Sequence, residues 1–385
     1  MICVIADDLA GAAELGGAAL RHGLTAEVQL ALDAGTDAEV ICVNANSRSF
    51  PADEAASRVA QAAARCRQAG VTDVFKKVDS VLRGWVVAEL SALLPALGRE
   101  RALLVPANPA RGRVIRDGQY WIDGQPLHQT DFARDPEYPV HCAAVLALLG
   151  AEGAQPVHLL PVGSRLPPRG ILVGEAACPT DLTDWAGRLD AATLPAGAAE
   201  FFAAFLTSTG HAERGRERDA GRGPAAERAL FVCGSTSSTS RAFLHRAEAD
   251  GVPVRRMPPG LLHRDSPRQR LMAQWTALVV QALQEHPRAV VAIDQPLQPE
   301  PGMPRRLSEA LAAVVKQVLE QQEVDRLLVE GGASAMALVQ ELSWPRLLVE
   351  HEFAPGVVGL RPAGRTRPLL VIKPGSYPWP EELAN

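Results

Sequence analysis

The chain opens Met1-Ile2-Cys3-Val4-Ile5-Ala6-Asp7-Asp8-Leu9-Ala10-Gly11-Ala12-Ala13-Glu14-Leu15, and this stretch decides the fold. Met1 to Ala6 is a short unbroken apolar run, the pattern of a buried strand. Two aspartates follow. From Leu9 to His22 alanine and leucine dominate, as in a helix, and Gly23 closes it. The same alternation continues. Ala26 to Leu30 and Val40 to Val43 read as strands, Ala52 to Ala69 as a helix, Val74 to Lys76 as a strand, Glu89 to Leu97 as a helix and Arg101 to Val105 as a strand. Beyond residue 228 the rhythm resumes with a strand at Ala229 to Cys233 and a helix from about Thr239. Strand Ala289 to Ile293, helix Leu307 to Gln322, strand Arg326 to Val329, helix Ala335 to Leu342 and strands Arg346 to Val349 and Leu369 to Ile372 follow. The pattern predicts an α/β protein of two α/β domains with largely parallel sheets.

Residues 207–228 hold Gly, Arg, Glu and Ser with almost nothing apolar, which predicts a flexible linker between domains 1–206 and 229–385. The length of 385 residues suits two domains. Arg111 to Pro139 is too long and too rich in Gly, Asp, Pro and aromatics for an ordinary connection, so it reads as a functional loop or hairpin. No internal repeat is visible.

Composition narrows the function. With 47% hydrophobic and 22% charged residues the chain is of soluble globular type, and its net charge of −5 gives no reason to expect nucleic-acid or membrane binding. Six dispersed cysteines with no CxxC pair predict buried free thiols. The chain begins directly with a strand pattern and has no run long enough to span a bilayer, so the cytoplasm is the expected location. No His pair has zinc-ligand spacing. Neither a Walker A loop nor GxGxxG occurs, which argues against a P-loop NTPase and a dinucleotide-binding oxidoreductase.

Lysine is scarce: of 39 basic residues only Lys76, Lys77, Lys316 and Lys373 are lysine. An ammonium meets a phosphate as a compact point charge, so lysines kept against such a bias are site candidates, with chance survival as the bland alternative. Lys316, in a helical pattern, reads as solvated surface. Asp7 and Asp8 stand at the end of the first strand, where open parallel sheets bind ligands. They can hold Mg²⁺, take a proton from a hydroxyl, or merely cap the helix. Lys76-Lys77-Val78-Asp79-Ser80-Val81-Leu82-Arg83-Gly84 gathers two ammonium groups, a carboxylate, a hydroxyl and a guanidinium after another strand. Arg83 suits bidentate capture of a carboxylate. A third block runs Pro106 to Arg113 and then Pro126 to Pro136, where His128, Asp131, Arg134 and Asp135 can bind a polyhydroxylated acid or tie the loop itself. In the second half Cys233-Gly234-Ser235-Thr236-Ser237-Ser238 and Glu330-Gly331-Gly332-Ala333-Ser334 are strand-to-helix junctions suited to an anion, joined by Lys373-Pro374-Gly375 at a third strand end.

These residues resemble the four-carbon acid sugar kinases, which pair an acid-sugar-binding N-terminal domain with a nucleotide-binding C-terminal domain. Ile5 to Ala12 is similar to the family's ADDLTGA opening, and Lys77 to Gly84 to its KTDSTLRG motif. Pro106 to Arg113 and Pro126 to Pro136 are similar to its PAxPxxGR and PLHETxFARDP stretches. The second half matches in Gly234-Ser235, Gly331-Gly332 and Pro355-Gly356-Val357. Ala333 stands where the family has an acidic residue, Ser334 where it has threonine, and Pro378 where it has glycine. The resemblance implies an ATP- and Mg²⁺-dependent kinase acting on a hydroxyl of a tetronate-like acid, with its active site in the interdomain cleft. It implies Asp7, Asp8 and Asp79 as catalytic, and Lys76, Lys77, Ser80, Arg83, Arg113, His128, Asp131 and Asp135 as acid-binding. Ser235, Gly331, Gly332, Ala333, Ser334, Lys373 and Gly375 would hold the nucleotide; metal ligands stay unassigned. A catalytically impaired acid-sugar-binding or regulatory relative is the alternative, favoured by the altered turns and opposed by the intact Lys373 and Gly375. The partners implied are the acid and ATP, with a homo-oligomer left open.

Overall fold

The computed structural model describes residues 1–135, 138–150, 155–214, 228–235, 237–263, 266–295 and 302–384. The chain divides into two compact units, Met1–Arg216 and Glu217–Asn385.

In the first unit, strands β1 (Ile2–Ala6), β2 (Ala26–Gln29), β3 (Val40–Asn44), β4 (Asp73–Lys77) and β5 (Arg101–Val105) alternate with helices α1 (Leu9–Arg21), α2 (Ala52–Gln68) and α3 (Val86–Leu97). Next comes a small antiparallel meander, β6 (Arg113–Arg116), β7 (Gln119–Ile122) and β8 (Gln125–Pro126). It lies within the stretch from Arg111 to Pro139 read as a functional loop or hairpin, of which Pro136 and Glu137 lie outside the described residues. Helix α4 (Val145–Leu148), β9 (Val157–Leu160), β10 (Gly170–Gly174), α5 (Pro179–Ala186), β11 (Thr193–Gly197) and α6 (Ala199–Ser208) complete the unit. The main sheet runs β2-β3-β1-β4-β11-β5-β10-β9, every pair parallel. Both faces are covered. On one, Ile5, Val43, Leu90 and Leu104 join a core shared with α2 and α3. On the other, Phe75 packs against Phe201, Phe202 and Phe205 of α6, with ring centroids 5.0 to 6.0 Å apart.

The second unit holds β12 (Ala229–Cys233), α7 (Ser238–Ala249), β13 (Val254–Arg256), α8 (Arg268–Glu285), β14 (Arg288–Ala292), α9 (Met303–Leu319), β15 (Arg326–Glu330) and α10 (Gly332–Glu341). Strands β16 (Arg346–Ala354), β17 (Val357–Pro362) and β18 (Leu369–Lys373) and helix α11 (Glu381–Ala384) follow. Strands β13-β14-β12-β15-β18 pair in parallel; β17 joins β18, and β16 joins β17, antiparallel. The opening strands of the two units share one order. β1 lies between β3 and β4 with β2 beyond β3, and β12 lies between β14 and β15 with β13 beyond β14. Successive connections thus leave in opposite directions around β1 and around β12, which makes the carboxyl ends beside those strands switch points where such sheets bind ligands.

Two expectations change. The linker does not begin at residue 207: α6 reaches Ser208, and Arg214 N donates to Arg21 O at 2.9 Å, so this part packs on the first unit. Residues 215–227 lie outside the described residues. The strand expected to end at Val349 runs on to Ala354 and turns back into β17. The cysteines are free, four buried and Cys142 and Cys178 half-buried. Among the described residues no helix is long and apolar enough to cross a membrane.

Candidate active site

The acidic pair sits where β1 gives way to α1, and its two members differ. Asp8 is the N-cap: its backbone is extended and its Oδ1 accepts from Gly11 N at 2.8 Å. Asp7 is buried; its Oδ2 accepts from Arg48 Nε at 2.8 Å, while Oδ1, also buried, has no hydrogen-bond partner among the described residues. Burial pushes the Asp7 carboxyl up. The Arg48 guanidinium, the Lys76 and Lys77 ammonium groups and the Arg48 hydrogen bond outweigh it and hold the carboxyl below the ordinary range.

Arg48 follows β3, and sequence reasoning missed it. Its Nη1 donates to Asp8 Oδ2 at 2.8 Å and lies 3.9 Å from Asp79 Oδ1. The available signal was the polar loop Asn44-Ala45-Asn46-Ser47-Arg48 after a strand neighbouring β1. Loop position is built by Ser47 N and Arg48 N, which donate to Asp7 O at 3.0 and 3.3 Å.

Asp79, after β4, is bound on every side. Its Oδ2 accepts from Arg83 Nε at 3.0 Å and from the amides of Val81 and Arg83; its Oδ1 accepts from Arg83 Nη2 at 2.8 Å. Burial again opposes ionisation, and Arg83 and Arg48 overcome it, so this carboxyl is held far below the usual range. The third arm of Arg83, Nη1, donates to Asp135 Oδ2 at 2.9 Å. The fork expected to seize a substrate carboxylate therefore clasps Asp79 within the protein. Ser80 Oγ accepts from Arg113 Nη1, and Tyr120 hydroxyl donates to Ser80 O. Phe132 lies under both guanidiniums, 5.4 Å from Arg83 and 5.5 Å from Arg113.

The lysine pair splits across the sheet, because adjacent strand residues face opposite sides. Lys76 is 0% exposed and binds Glu89 of α3 at 2.7 Å, so its expected contact with substrate is withdrawn. Lys77 binds Glu14 of α1 at 3.3 Å and donates to Val78 O at 2.9 Å. His128 and Asp131 are exposed on the 3-10 turns Leu127–Gln129 and Asp131–Arg134. Among the described residues no group of three or more His, Cys, Asp or Glu is placed to hold a metal ion.

In the second unit three strand ends converge. Ser237 caps α7 by accepting from Ser240 N at 3.1 Å, and its hydroxyl donates to Gly375 O at 2.8 Å. A Cβ on Gly375 would meet Ser235 Oγ at 2.8 Å, and one on Gly234 would meet Ser334 Oγ at 1.8 Å, so both approaches require glycine. Gly331 has φ +92°, and its N–H donates to Lys373 O at 2.9 Å. As N-cap of α10 it offers no side-chain oxygen, and the first turn, which includes Gly332 and Ala333, carries no acid. No side chain of that first turn offsets the positive end of the helix. Lys373 does not supply an open charge: it is 1% exposed and binds Glu330 at 3.0 Å, with Trp379 5.0 Å away. Thr236 lies outside the described residues.

A parallel-sheet unit with carboxylates at its switch point, and a second with glycine turns at its own, fits the two-domain sugar-acid kinase that the motifs resemble. Comparisons agree. The profile of a sugar-binding N-terminal domain matches residues 2–185, and that of a nucleotide-binding C-terminal domain matches residues 230–377. The D-threonate kinase of Cupriavidus necator is 31% identical over 383 residues, covering 92% of this chain and 88% of its own. The 3-oxo-tetronate kinase of Methylobacterium radiotolerans is 28% identical over 408 residues, covering 97% and 95%. The fold is similar to that of a solved Salmonella typhimurium protein, with TM-score 0.74 at 19% identity over 98% of this chain and 96% of the other. The chain belongs to the four-carbon acid sugar kinase family. It is a nucleotide-using carbohydrate kinase.

Proposed function

We propose that this chain transfers the γ-phosphoryl group of ATP to a hydroxyl of a four-carbon sugar acid of the D-threonate or 3-oxo-tetronate type. One observation carries the placement: Asp7 is held through Oδ2, and its Oδ1 stands buried and unpartnered at the carboxyl end of β1. Closed to solvent in this structure and without a partner among the described residues, that oxygen would accept the hydrogen bond of the attacking hydroxyl once the bound acid displaces the atoms that cover it. A carboxyl held below the ordinary range is a poor base at rest, but a loose transition state asks mainly for orientation and late proton capture. Arg48 already occupies Oδ2 of both aspartates, and Gly11 N occupies Oδ1 of Asp8, which disfavours a metal between them. Mg²⁺ would come with the triphosphate and neutralise its charge.

The carboxylate of the acid would meet the outer edges of Arg113 and Arg83 above Phe132, the latter braced by Asp79 and Asp135. Ser80 would orient Arg113. The uncapped first turn of α10 and the Gly331, Ser235 and Gly375 turns would receive the phosphates through backbone N–H groups. Lys77 and Lys373 would act from behind, as buried paired charges. The test is a coupled ADP-release assay over D-threonate, D-erythronate and their 3-oxo forms. Turnover on at least one four-carbon acid, well above that on five- and six-carbon acids, is expected; equal turnover on longer acids would refute the assignment.

A further inference from the structure

One guanidinium in the first unit faces three carboxylates. The Arg48 side chain is 14% exposed and donates at 2.8 Å to Asp7 and at 2.8 Å to Asp8, with Asp79 at 3.9 Å. We propose that Arg48 is a positioning residue for phosphoryl transfer: by holding Oδ2 of Asp7 and Oδ2 of Asp8 together, it turns the remaining Asp7 oxygen toward the acceptor hydroxyl. This rests on the reading of Asp7 as the hydroxyl's acceptor.

Geometry supports the role in two ways. First, Arg48 is itself fixed. Its amide donates to Asp7 O at 3.3 Å, Asn46 takes φ +48° with its N–H on Asn44 Oδ1 at 2.9 Å, and the Tyr138 hydroxyl donates to Arg48 O. A fixed planar fork restricts what it binds, which a flexible ammonium does not. Second, Arg48 is the cation that touches Asp7. The other cations acting on Asp7 are Lys76 and Lys77 of β4, and the carboxylates of Asp8 and Asp79 share Arg48 with it. Both lysines are tied to glutamates, Lys76 to Glu89 at 2.7 Å and Lys77 to Glu14 at 3.3 Å. Without Arg48, Asp7 would keep its burial and its acidic neighbours but lose its direct counter-charge, and would protonate at higher pH.

The full chain should be assayed for kcat and KM against pH, with MgATP and whichever of D-threonate or its 3-oxo form the wild type phosphorylates. Arg48→Lys keeps the charge and loses the fork, so kcat should fall about 10²-fold with the acidic limb in place and KM for ATP unchanged. Arg48→Gln also loses the charge, so its acidic limb should move to higher pH; a purely structural residue would lower the melting temperature and leave the limb where it was. If Arg48→Gln does not fold, Arg48→Lys decides alone. Wild-type turnover in Arg48→Lys, or an unmoved limb in folded Arg48→Gln, overturns the proposal. Asp7→Asn separates this from the underlying reading: near-normal turnover there removes the Asp7 role itself, whereas a large loss there beside normal Arg48→Lys removes only the role of Arg48.

Discussion

Lys76 and Glu89 form an ion pair sealed from water, Nζ to Oε2 2.7 Å, with side chains 0% and 3% exposed. The other lysines repeat the pairing: Lys77 with Glu14, Lys373 with Glu330 and, on the surface, Lys316 with Glu341. For the three buried lysines this accounts for lysine in a chain that otherwise uses arginine. Buried at a strand end, a compact ammonium brings three donors, two of which Lys76 directs to Glu89 and to Lys77 O, the latter at 2.9 Å. A guanidinium would bring five donors to the same place.

Breaking the Lys76–Glu89 pair should therefore cost stability. Glu89→Gln leaves a buried ammonium without its counter-charge, and about 3–5 kcal/mol should be lost. The double change Lys76→Met with Glu89→Leu removes both charges and should cost less than the two single changes added together. Denaturant melts of Lys76→Met, Glu89→Leu and the double variant measure this coupling. Strict additivity would mean that the two residues do not act as a pair.

Asp79 should make the fold acid-sensitive. Its folded pKa lies well below that of an unfolded aspartate, about 3.9, so its stabilisation is full above that value and is lost as pH falls below it. Asp79→Asn should be less stable than wild type at pH 7, and its melting temperature should fall less between about pH 5 and pH 3. Parallel melting curves over that range would show that Asp79 is not a principal acid-labile group.

Gly331 should govern the nucleotide. Its φ of +92° lies where a Cβ is strained, although no atom within 4 Å would obstruct one. Gly331→Ala should reshape the turn rather than the packing, at a cost of about 1–3 kcal/mol. KM for ATP should rise at least about tenfold, with KM for the acid unchanged. An equal rise in both constants, or none in a folded variant, would take the phosphates away from this turn.

Much of this was legible from strand ends. Parallel strands buried on both faces read as continuous apolar runs, and β12 ends at Cys233 as its run predicts. The β16–β17 hairpin was not read in full, because Glu350, His351 and Glu352 interrupt the apolar signal in a strand with register shifts on either side of this segment. Side-chain direction was partly hidden too. Period two does separate Lys76 from Lys77, but which face carries the chemistry depends on which helices cover it. What Arg48 meets was hidden for a deeper reason. It meets Asp7 only because β3 lies beside β1, and strand order follows from crossover geometry rather than from any local pattern. The shared strand order of the two units is hidden likewise, since no sequence repeat accompanies it.

The two aspartates should respond differently to the same substitution. Asp8 caps α1 through Oδ1, and asparagine caps nearly as well, so Asp8→Asn should keep the helix start but turn an NH₂ toward Arg48, losing the charge and the hydrogen bond that Arg48 Nη1 gives to Oδ2. A moderate fall in kcat, about tenfold or less, is expected from that weaker hold on the fork. Asp7 makes no cap. Asp7→Asn keeps the shape but replaces one carboxylate oxygen with an NH₂ donor, and the carboxamide's oxygen would turn toward Arg48, leaving the NH₂ toward the acceptor. A donor there cannot receive the hydroxyl proton, so kcat should drop about 10²–10⁴-fold. The melting temperature separates chemistry from folding. Removing the Asp7 charge gives up an attraction to Arg48 that outweighs the cost of burial, so some fall in melting temperature should accompany the loss of kcat. The deciding measurement is kcat for both variants beside their melting temperatures. A large loss in Asp8→Asn with near-normal turnover in Asp7→Asn would exchange the roles of the two residues.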